Sequence, residues 1–211
     1  MAPAALGAAA AAARRLAGSP RRRHSRQQRA VVTRAAEGDP QSDVSLIEFR
    51  VGQVVSCENH PDSDKLLVEM IDVGEDEPRQ ICSGIAKHFS PEQVTGRRVV
   101  IVANLKERKI GGVSSNGMLL CASVGEEEDQ KLDIVAAPEG AAVGERVVIE
   151  VEGQSHGDPA APNRVAKKKL YEKVAPELRT DAEGTVCFAE SQFTTSGGPC
   201  TAKAIPSGVV S

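Results

Sequence analysis

Short apolar runs rich in β-branched residues alternate with polar turns through the middle of this 211-residue chain. The clearest are FRVGQVVSC at 49–57, KLLVEMIDV at 65–73 and RRVVIVA at 97–103. Runs of this length and composition predict β-strands. Four shorter runs predict further strands at 79–83, 117–122, 132–136 and 146–151.

One short helix is expected among these strands. Ser90 is a good N-cap and Pro91 occupies the first helical position, which predicts a helix running to about Gly96. Several short strands joined by turns, with a single small helix, describe a small all-β barrel. The OB-fold is the leading candidate.

The C-terminal part of the chain has a different pattern. A Gly- and Pro-containing linker at 152–163 precedes VAKKKLYEKV at 165–174, whose apolar residues form one face of a predicted helix. Short strands are expected at 185–189 and 201–205. About 60 residues are few for an independent core, so we expect residues 152–211 to form a small α+β extension that packs on a barrel at 44–151.

The N-terminal part is unlike the rest. The first 36 residues contain eight Arg, much Ala and no Asp or Glu, which is typical of organelle transit peptides. We expect residues 1–43 to be a disordered leader and linker. Residues 31–36 favour the chloroplast, and the mitochondrion remains the alternative. No run of about 18 apolar residues is present, so the sequence predicts no membrane association.

Net charge limits the kind of nucleic-acid binding that is feasible. With the eight leader arginines set aside, 18 of the 26 Lys and Arg remain against 29 acids, a net charge of −11. Such a field repels phosphates at long range, so binding requires a local basic patch and should be modest and salt-sensitive.

The segment NLKERKIGGVSSNGMLLCAS at 104–123 provides such a patch. It places Lys106, Arg108 and Lys109 beside a glycine pair and the small polar residues of 114–116. Cations attract phosphate, glycines allow close approach, and short polar side chains form hydrogen bonds. A solvated strand edge is the alternative, and it is the simpler interpretation of Arg97 and Arg98.

Two other polar segments have two interpretations each. HPDSDKL at 60–66 is either a self-capped loop or the rim of a ligand groove that presents Lys65. The lysines at 167–169 are either the solvated face of a helix or an extension of an RNA-facing surface.

The sequence provides no motif for catalysis, metal or cofactor. Its five cysteines lack C-x-x-C spacing, and Cys57 and His60 have no orienting third group. The chain also lacks a P-loop and a dinucleotide fingerprint. Aromatic residues are few, and just Phe49 and Phe89 fall in the barrel segment. Recognition of a folded RNA by phosphate, ribose and shape is therefore favoured over base-by-base stacking.

Four segments together resemble the tRNA-binding domain of the endothelial monocyte-activating polypeptide II type. They are 49–75, PRQICSGI at 78–85, the basic segment at 104–123, and KKKLYEKVAPELRTD at 167–181. The resemblance implies an OB-fold that holds tRNA without catalysis, often for an aminoacyl-tRNA synthetase. It also implies a monomer, whose extension occupies the place of a dimer partner. The alternative is a chaperone-like or scaffold barrel that binds peptides or proteins.

The resemblance also implies which residues face RNA. The matching positions here are Lys65, Ser83, Asn104, Lys106, Lys109, Ser115 and Asn116, with Met118 as loop support. Relatives commonly have an arginine where Gly112 stands, and the acidic run 126–129 lengthens a nearby loop. The extension helix begins with Arg164-Val165-Ala166 where relatives tend toward Asn-Pro. These departures predict weaker binding than that of a typical relative.

Overall fold

The computed structural model describes residues 43–126, 129–151 and 157–211. Except for its last residue, Asp43, the predicted leader lies outside the described residues. So do 152–156 of the predicted linker and 127–128 of the acidic run.

Besides the helical residues 43 and 44, the described residues form fifteen strands and three short α-helices. The strands are β1 Phe49–Asn59, β2 Leu67–Asp72, β3 Arg79–Ser83, β4 Arg98–Val102, β5 Arg108–Ile110, β6 Val113–Ser115, β7 Met118–Leu119, β8 Cys121–Val124, β9 Lys131–Ile134, β10 Val148–Ile149, β11 Leu178–Thr180, β12 Val186–Phe188, β13 Ser191–Thr195, β14 Gly198–Pro199 and β15 Val209–Val210. The helices are α1 Pro91–Val94, α2 Pro162–Lys168 and α3 Leu170–Val174, and a 3-10 turn follows at Ala175–Glu177.

The barrel is built on an antiparallel sheet in the order β3-β2-β1-β4-β7. Strand β1 lies at its centre and pairs with both β2 and β4. A register shift between Val54 and Ser56 marks a bulge, which bends β1 as barrel strands require. Alternate residues of β2, from Leu67 to Ile71, are buried inside. The prediction of an OB-fold barrel is confirmed.

The C-terminal extension adds strands to the barrel. Strand β15 pairs with β8, and the second sheet runs β10-β13-β12-β11-β15-β8-β9. One apolar cluster contains barrel residues such as Leu120 and extension residues such as Leu170. The rings of Phe49 and Phe193 lie 4.8 Å apart, centroid to centroid. The extension therefore shares its core with the barrel.

Two local expectations for the extension were wrong. The single helix predicted at 165–174 is two helices, because Lys169 adopts a left-handed conformation with φ of 51° between them. The strand predicted at 201–205 is reduced to Thr201, which forms isolated bridges to Ala136 and Thr185 and is followed by turns. The last strand is instead the two-residue β15, which is too short to produce a sequence pattern.

Among the described residues of the barrel, one carboxyl group is buried in the interior. Glu69 on β2 is fully buried, and its Oε2 accepts a hydrogen bond from Ser83 Oγ at 3.2 Å. Its Oε1 is buried without a hydrogen-bond partner. Burial opposes ionisation and raises the pKa of Glu69 from 4.5 to about 8.

This carboxyl group should make stability depend on pH. The folded state favours the neutral form of Glu69. The contribution of this group to the free energy of unfolding is therefore complete below pH of about 4.5 and is lost as pH rises toward about 8. We expect Glu69→Gln to reduce the fall in unfolding free energy between pH 5 and 8 by roughly 2–5 kcal/mol. Urea denaturation of the variant and of the parent chain at pH 5 and pH 8 measures this difference in unfolding free energy.

The matched control is Glu58→Gln, on the exposed side of the neighbouring strand β1. It should leave the pH dependence as in the parent chain. An equal fall for Glu69→Gln and the parent would contradict the assignment.

Candidate nucleic-acid interface

Strands β5 and β6 form a hairpin that projects from the end of β4. Ile110 pairs with Val113, so Gly111 and Gly112 are its two loop residues. Both have positive φ, 59° and 91°, as a type I′ turn requires. An arginine at 112 would have to adopt this conformation, which favours glycine.

The hairpin is fixed along the open edge of β3. Ser115 Oγ accepts a hydrogen bond from the Cys82 backbone N–H at 3.1 Å. Gln80 Nε2 donates to the Ser114 carbonyl at 2.8 Å, and the Gln80 carbonyl accepts from the Asn116 N–H at 2.8 Å. An edge strand exposes unpaired backbone groups, so these bonds both close the barrel and hold the hairpin rigid.

The hairpin presents cations to solvent. Lys106, Arg108, Lys109 and Asn116 are all exposed. Arg108 and Lys109 are successive residues of a strand, so their side chains leave opposite faces of the two-stranded ribbon. The positive charge therefore lies on both faces of the hairpin, with Lys106 at its base.

The loop 60–66 packs against the hairpin turn. A β-carbon added to Gly111 would stand 2.7 Å from His60 Nε2 and 3.2 Å from Leu66 Cδ1. His60 is buried, and its Nδ1 accepts a hydrogen bond from the Asp62 N–H at 3.1 Å. Because this contact brings the loop to the hairpin, exposed Lys65 belongs to the same part of the surface.

Lys87 extends this surface and was not foreseen from the sequence. The Lys65 carbonyl accepts a hydrogen bond from the Ala86 N–H at 3.3 Å, which places the β3–α1 connection beside the loop. Lys87 is exposed there. The sequence around Lys87 does not mark it as a binding residue, because only the folded chain brings residue 86 next to residue 65.

Three residues expected to face RNA instead bond within the protein. Asn104 is buried; its Oδ1 accepts from the Glu48 N–H at 2.9 Å, and its Nδ2 donates to the Leu46 and Ala160 carbonyls at 2.8 and 2.9 Å. Ser115 is buried in the contact that anchors the hairpin. Ser83 is half-buried and donates to Glu69. The expected surface positions of Asn104 and Ser115 are thus corrected.

Arg97 and Arg98 lie in a different groove. Arg98 donates to the Glu139 carbonyl at 2.9 Å and approaches Gln53 Oε1 at 3.4 Å. Arg97 lies 4.9 Å from the ring centroid of Phe89 and donates to the Gln93 carbonyl at 2.6 Å. The lining of this groove, about 640 Å³ in volume, includes no residue of the hairpin.

A second cleft separates the hairpin base from the extension. It has a volume of about 400 Å³ and is lined by Leu105, Lys106, Glu107, Arg108, Met118, Val165, Ala166, Tyr171 and Glu172. Met118, expected as loop support, is therefore part of a surface. The exposed lysines 167–169 lie at the junction of α2 and α3, which together form the other wall.

Elsewhere on the barrel, arginines are neutralised by contacts within the protein. Arg79 forms two hydrogen bonds to Glu75, at 2.7 and 2.5 Å, and these hold the pKa of that carboxyl below its ordinary range. Arg50 forms ion pairs with Glu48 and Glu75. These guanidinium groups are occupied, so the exposed hairpin cations are the better candidates for phosphate contacts.

The thiols are poorly placed for chemistry. All five cysteines are free and buried. Burial raises the pKa of Cys57, Cys121 and Cys200 to about 12, which keeps these thiols protonated. Within the described ranges, no cluster of three His, Cys, Asp or Glu could hold a metal ion. No helix in the same ranges is long and apolar enough to cross a membrane.

An OB-fold barrel that carries an exposed cationic hairpin next to the loop 60–66 is typical of the class of oligonucleotide-binding barrels. Residues 49–146 match the family described as "Putative tRNA binding domain". The C-terminal domain of Plasmodium vivax p43 has a similar crystal structure, with a TM-score of 0.71 and 30% identity; the match covers 80% of this chain and 98% of that one. The chain belongs to the tRNA-binding domain family of the endothelial monocyte-activating polypeptide II type.

Curated relatives contain this region within longer proteins. The cytoplasmic tyrosine–tRNA ligase of Xenopus tropicalis is 38% identical over 82% of this chain, which spans 32% of the ligase. The aminoacyl tRNA synthase complex-interacting multifunctional protein 1 of Mus musculus is 37% identical over 76% of this chain and 50% of its own length. The chain thus spans about a third of the first relative and half of the second.

The buried amide of Asn104 provides a test of the corrected assignment. Replacing Asn104 by Ala removes three hydrogen bonds and leaves buried backbone groups unpaired. We expect the free energy of unfolding to fall by about 2–4 kcal/mol. The matched variant Asn116→Ala removes an exposed amide and should change it by less than about 0.5 kcal/mol.

Chemical denaturation of the two variants measures the difference. Unchanged stability of Asn104→Ala together with lost RNA binding would return Asn104 to the RNA-facing set.

Proposed function

We propose that this protein binds folded tRNA through the β5–β6 hairpin and the neighbouring loop 60–66, and that it catalyses no reaction on the RNA. The observation that carries the proposal is the exposed cationic hairpin, with Lys106, Arg108 and Lys109, on an otherwise acidic barrel of this family. The hairpin is rigidly fixed along β3, so its cations can match a phosphate contour without much loss of conformational entropy.

Recognition of backbone and shape fits this surface better than reading of sequence. The site consists mainly of lysines and one arginine, which contact phosphates without distinguishing bases. A chain with a net charge of −11 beyond its first 36 residues needs a partner whose phosphates approach these cations directly. A folded tRNA provides closely spaced phosphates on a defined surface.

The proposed biological role is delivery of tRNA to an aminoacyl-tRNA synthetase. The names of the relatives support it, because they include a ligase and a synthetase complex-interacting protein. The bound unit is proposed to be a monomer, in which the extension covers the barrel face that a partner subunit would otherwise need. Support for this comes from the pairing of β15 with β8 and from the shared apolar cluster.

The first test removes the hairpin lysines. Lys106→Ala combined with Lys109→Ala should weaken binding of bulk tRNA by roughly 1–3 kcal/mol in total, across isoacceptors, and flatten the dependence of affinity on salt. The reason is that fewer counterions are released when two phosphate contacts are lost. Filter binding over a series of salt concentrations measures both quantities.

The matched control is Lys131→Ala combined with Lys203→Ala. Both lysines are exposed, one on β9 and one in the extension, and the change in net charge is the same. This control should bind tRNA within about twofold of the parent chain. Equal affinities for all three proteins would reject the hairpin as the binding surface.

The proposed location is the chloroplast, supported by the arginine-rich and acid-free character of residues 1–36. Residues 1–40 fused to a fluorescent reporter should direct it to the chloroplast in plant cells. A version with glutamate at positions 21–23 should remain outside, because acidic residues oppose import. Mitochondrial fluorescence of the unchanged fusion would contradict the proposal.

A further inference from the structure

The cleft between the hairpin and the extension has features that phosphate contacts alone do not require. Its volume is about 400 Å³, within the range of small-ligand sites. Leu105, Met118 and Val165 give it an apolar lining, and Tyr171 contributes an aromatic ring. Binding of phosphates alone does not require apolar or aromatic side chains.

Tyr171 has an unusual position among the aromatic residues of the chain. Phe49, Phe188 and Phe193 are fully buried in the core, and Phe89 lies beneath Arg97. Tyr171, the single tyrosine, is partly exposed and lines the cleft. Its hydroxyl is buried without a hydrogen-bond partner, so the ring and not the hydroxyl is available at the surface.

Charges surround this apolar lining on both walls. Lys106 and Arg108 belong to the hairpin wall. Arg164, Lys167 and Lys168 are exposed on α2, beside the cleft residues Val165 and Ala166. An apolar slot with Lys106 and Arg108 on its hairpin wall is complementary to one nucleobase whose flanking phosphates contact these two cations.

The acidic residues of the cleft are compatible with this occupant. Glu107 accepts a hydrogen bond from Ser114 Oγ and is thereby held to its own hairpin. Glu172 is exposed on the extension wall. A carboxylate at this position can accept a hydrogen bond from the amino group of a base.

We propose that this cleft receives one unpaired base of the bound RNA, stacked against Tyr171, with its flanking phosphates on Lys106 and Arg108. The inference rests on the proposed function and adds a subsite to it. Unpaired bases that turn out of a helix are the parts of a folded RNA that proteins stack on aromatic side chains. The subsite would thus supplement the shape-based binding with a contact to one exposed base.

The test compares two RNA duplexes that differ in one base. Both have a single-nucleotide bulge, which carries adenine in one duplex and an abasic residue in the other, so their phosphates are equal in number. The protein should bind the adenine bulge roughly 5- to 10-fold more tightly, the low end of a base–aromatic stack. Fluorescence of 2-aminopurine placed at the bulge should be quenched on binding.

The variant that tests the cleft itself is Ala166→Phe. Ala166 is exposed and lines the cleft, so a larger side chain fills it without disturbing the core. It should abolish the preference and the quenching, and leave affinity for the abasic duplex unchanged. Ala182→Phe, at an exposed turn outside the cleft, should behave like the parent chain.

Tyr171 provides a second pair of variants. Tyr171→Phe should retain the preference because the ring remains, and Tyr171→Leu should lose it while the affinity for the abasic duplex persists. Circular dichroism of each variant verifies that it is folded.

The possible failures are distinguishable. If the parent chain binds both duplexes equally, the base subsite is rejected and the proposed function stands; this result is also expected if the cleft holds an apolar side chain of a protein partner. A preference that persists in Ala166→Phe places the base elsewhere and also rejects the subsite. If neither duplex nor tRNA binds at low salt, the proposed function fails as well.

Discussion

The constraint on which the structure depends is the open edge of β3. A barrel strand with unpaired backbone groups must be covered, and here the cover is the segment from β6 to Asn116. The bonds that cover the edge involve a buried serine and a glutamine side chain. The cations of β5 take no part in them and therefore project outward. Closing the barrel and presenting the charge are thus consequences of the same hairpin.

The distribution of charge follows from how arginine and lysine differ. The guanidinium groups of Arg79, Arg98 and Arg146 each donate to backbone carbonyls within the fold. A planar group with five N–H donors suits such contacts, and lysine does not. The surface beside the hairpin is accordingly rich in lysine. Counting basic residues in the sequence overstates the charge available to RNA, because arginines that secure loops are included.

Much of the fold could be predicted because its strands are long enough to show a pattern. The strand predicted at 79–83 coincides with β3, and β1, β2, β4, β9 and β10 differ from their predictions by a few residues at the ends. The single strand predicted at 117–122 is instead split into β7 and β8, which belong to different sheets, and the short hairpin strands β5 and β6 were not predicted. In the extension the signal is weaker, since β14 and β15 have two residues each. The break at Lys169 has no sequence signal at all, because residues other than glycine rarely adopt the left-handed conformation that Lys169 has here.

The candidate site was predicted less completely, for a physical reason. Asn104 and Ser115 are small polar residues beside glycines and cations, which is the composition of a ligand-binding turn. The same residues also satisfy buried backbone groups, and only the fold decides between the two roles. Long cations behave differently, because burying an unpaired ammonium group is costly. Lys65, Lys106 and Lys109 are therefore exposed as expected, along with Lys87, which no pattern marked.

The position of Asn104 connects the extension with the hairpin. It directly follows β4, and its side-chain amide binds the chain just before β1 and the chain just before α2. Asn104 therefore connects the two walls of the cleft. Leu105, the next residue, lines the hairpin wall, and the Ala160 carbonyl that Asn104 binds lies just before α2, which lines the other wall. A shift of the extension would move Tyr171 relative to Lys106 and Arg108. The extension is consequently part of the proposed RNA-facing surface, and its buried residues also cover the barrel core.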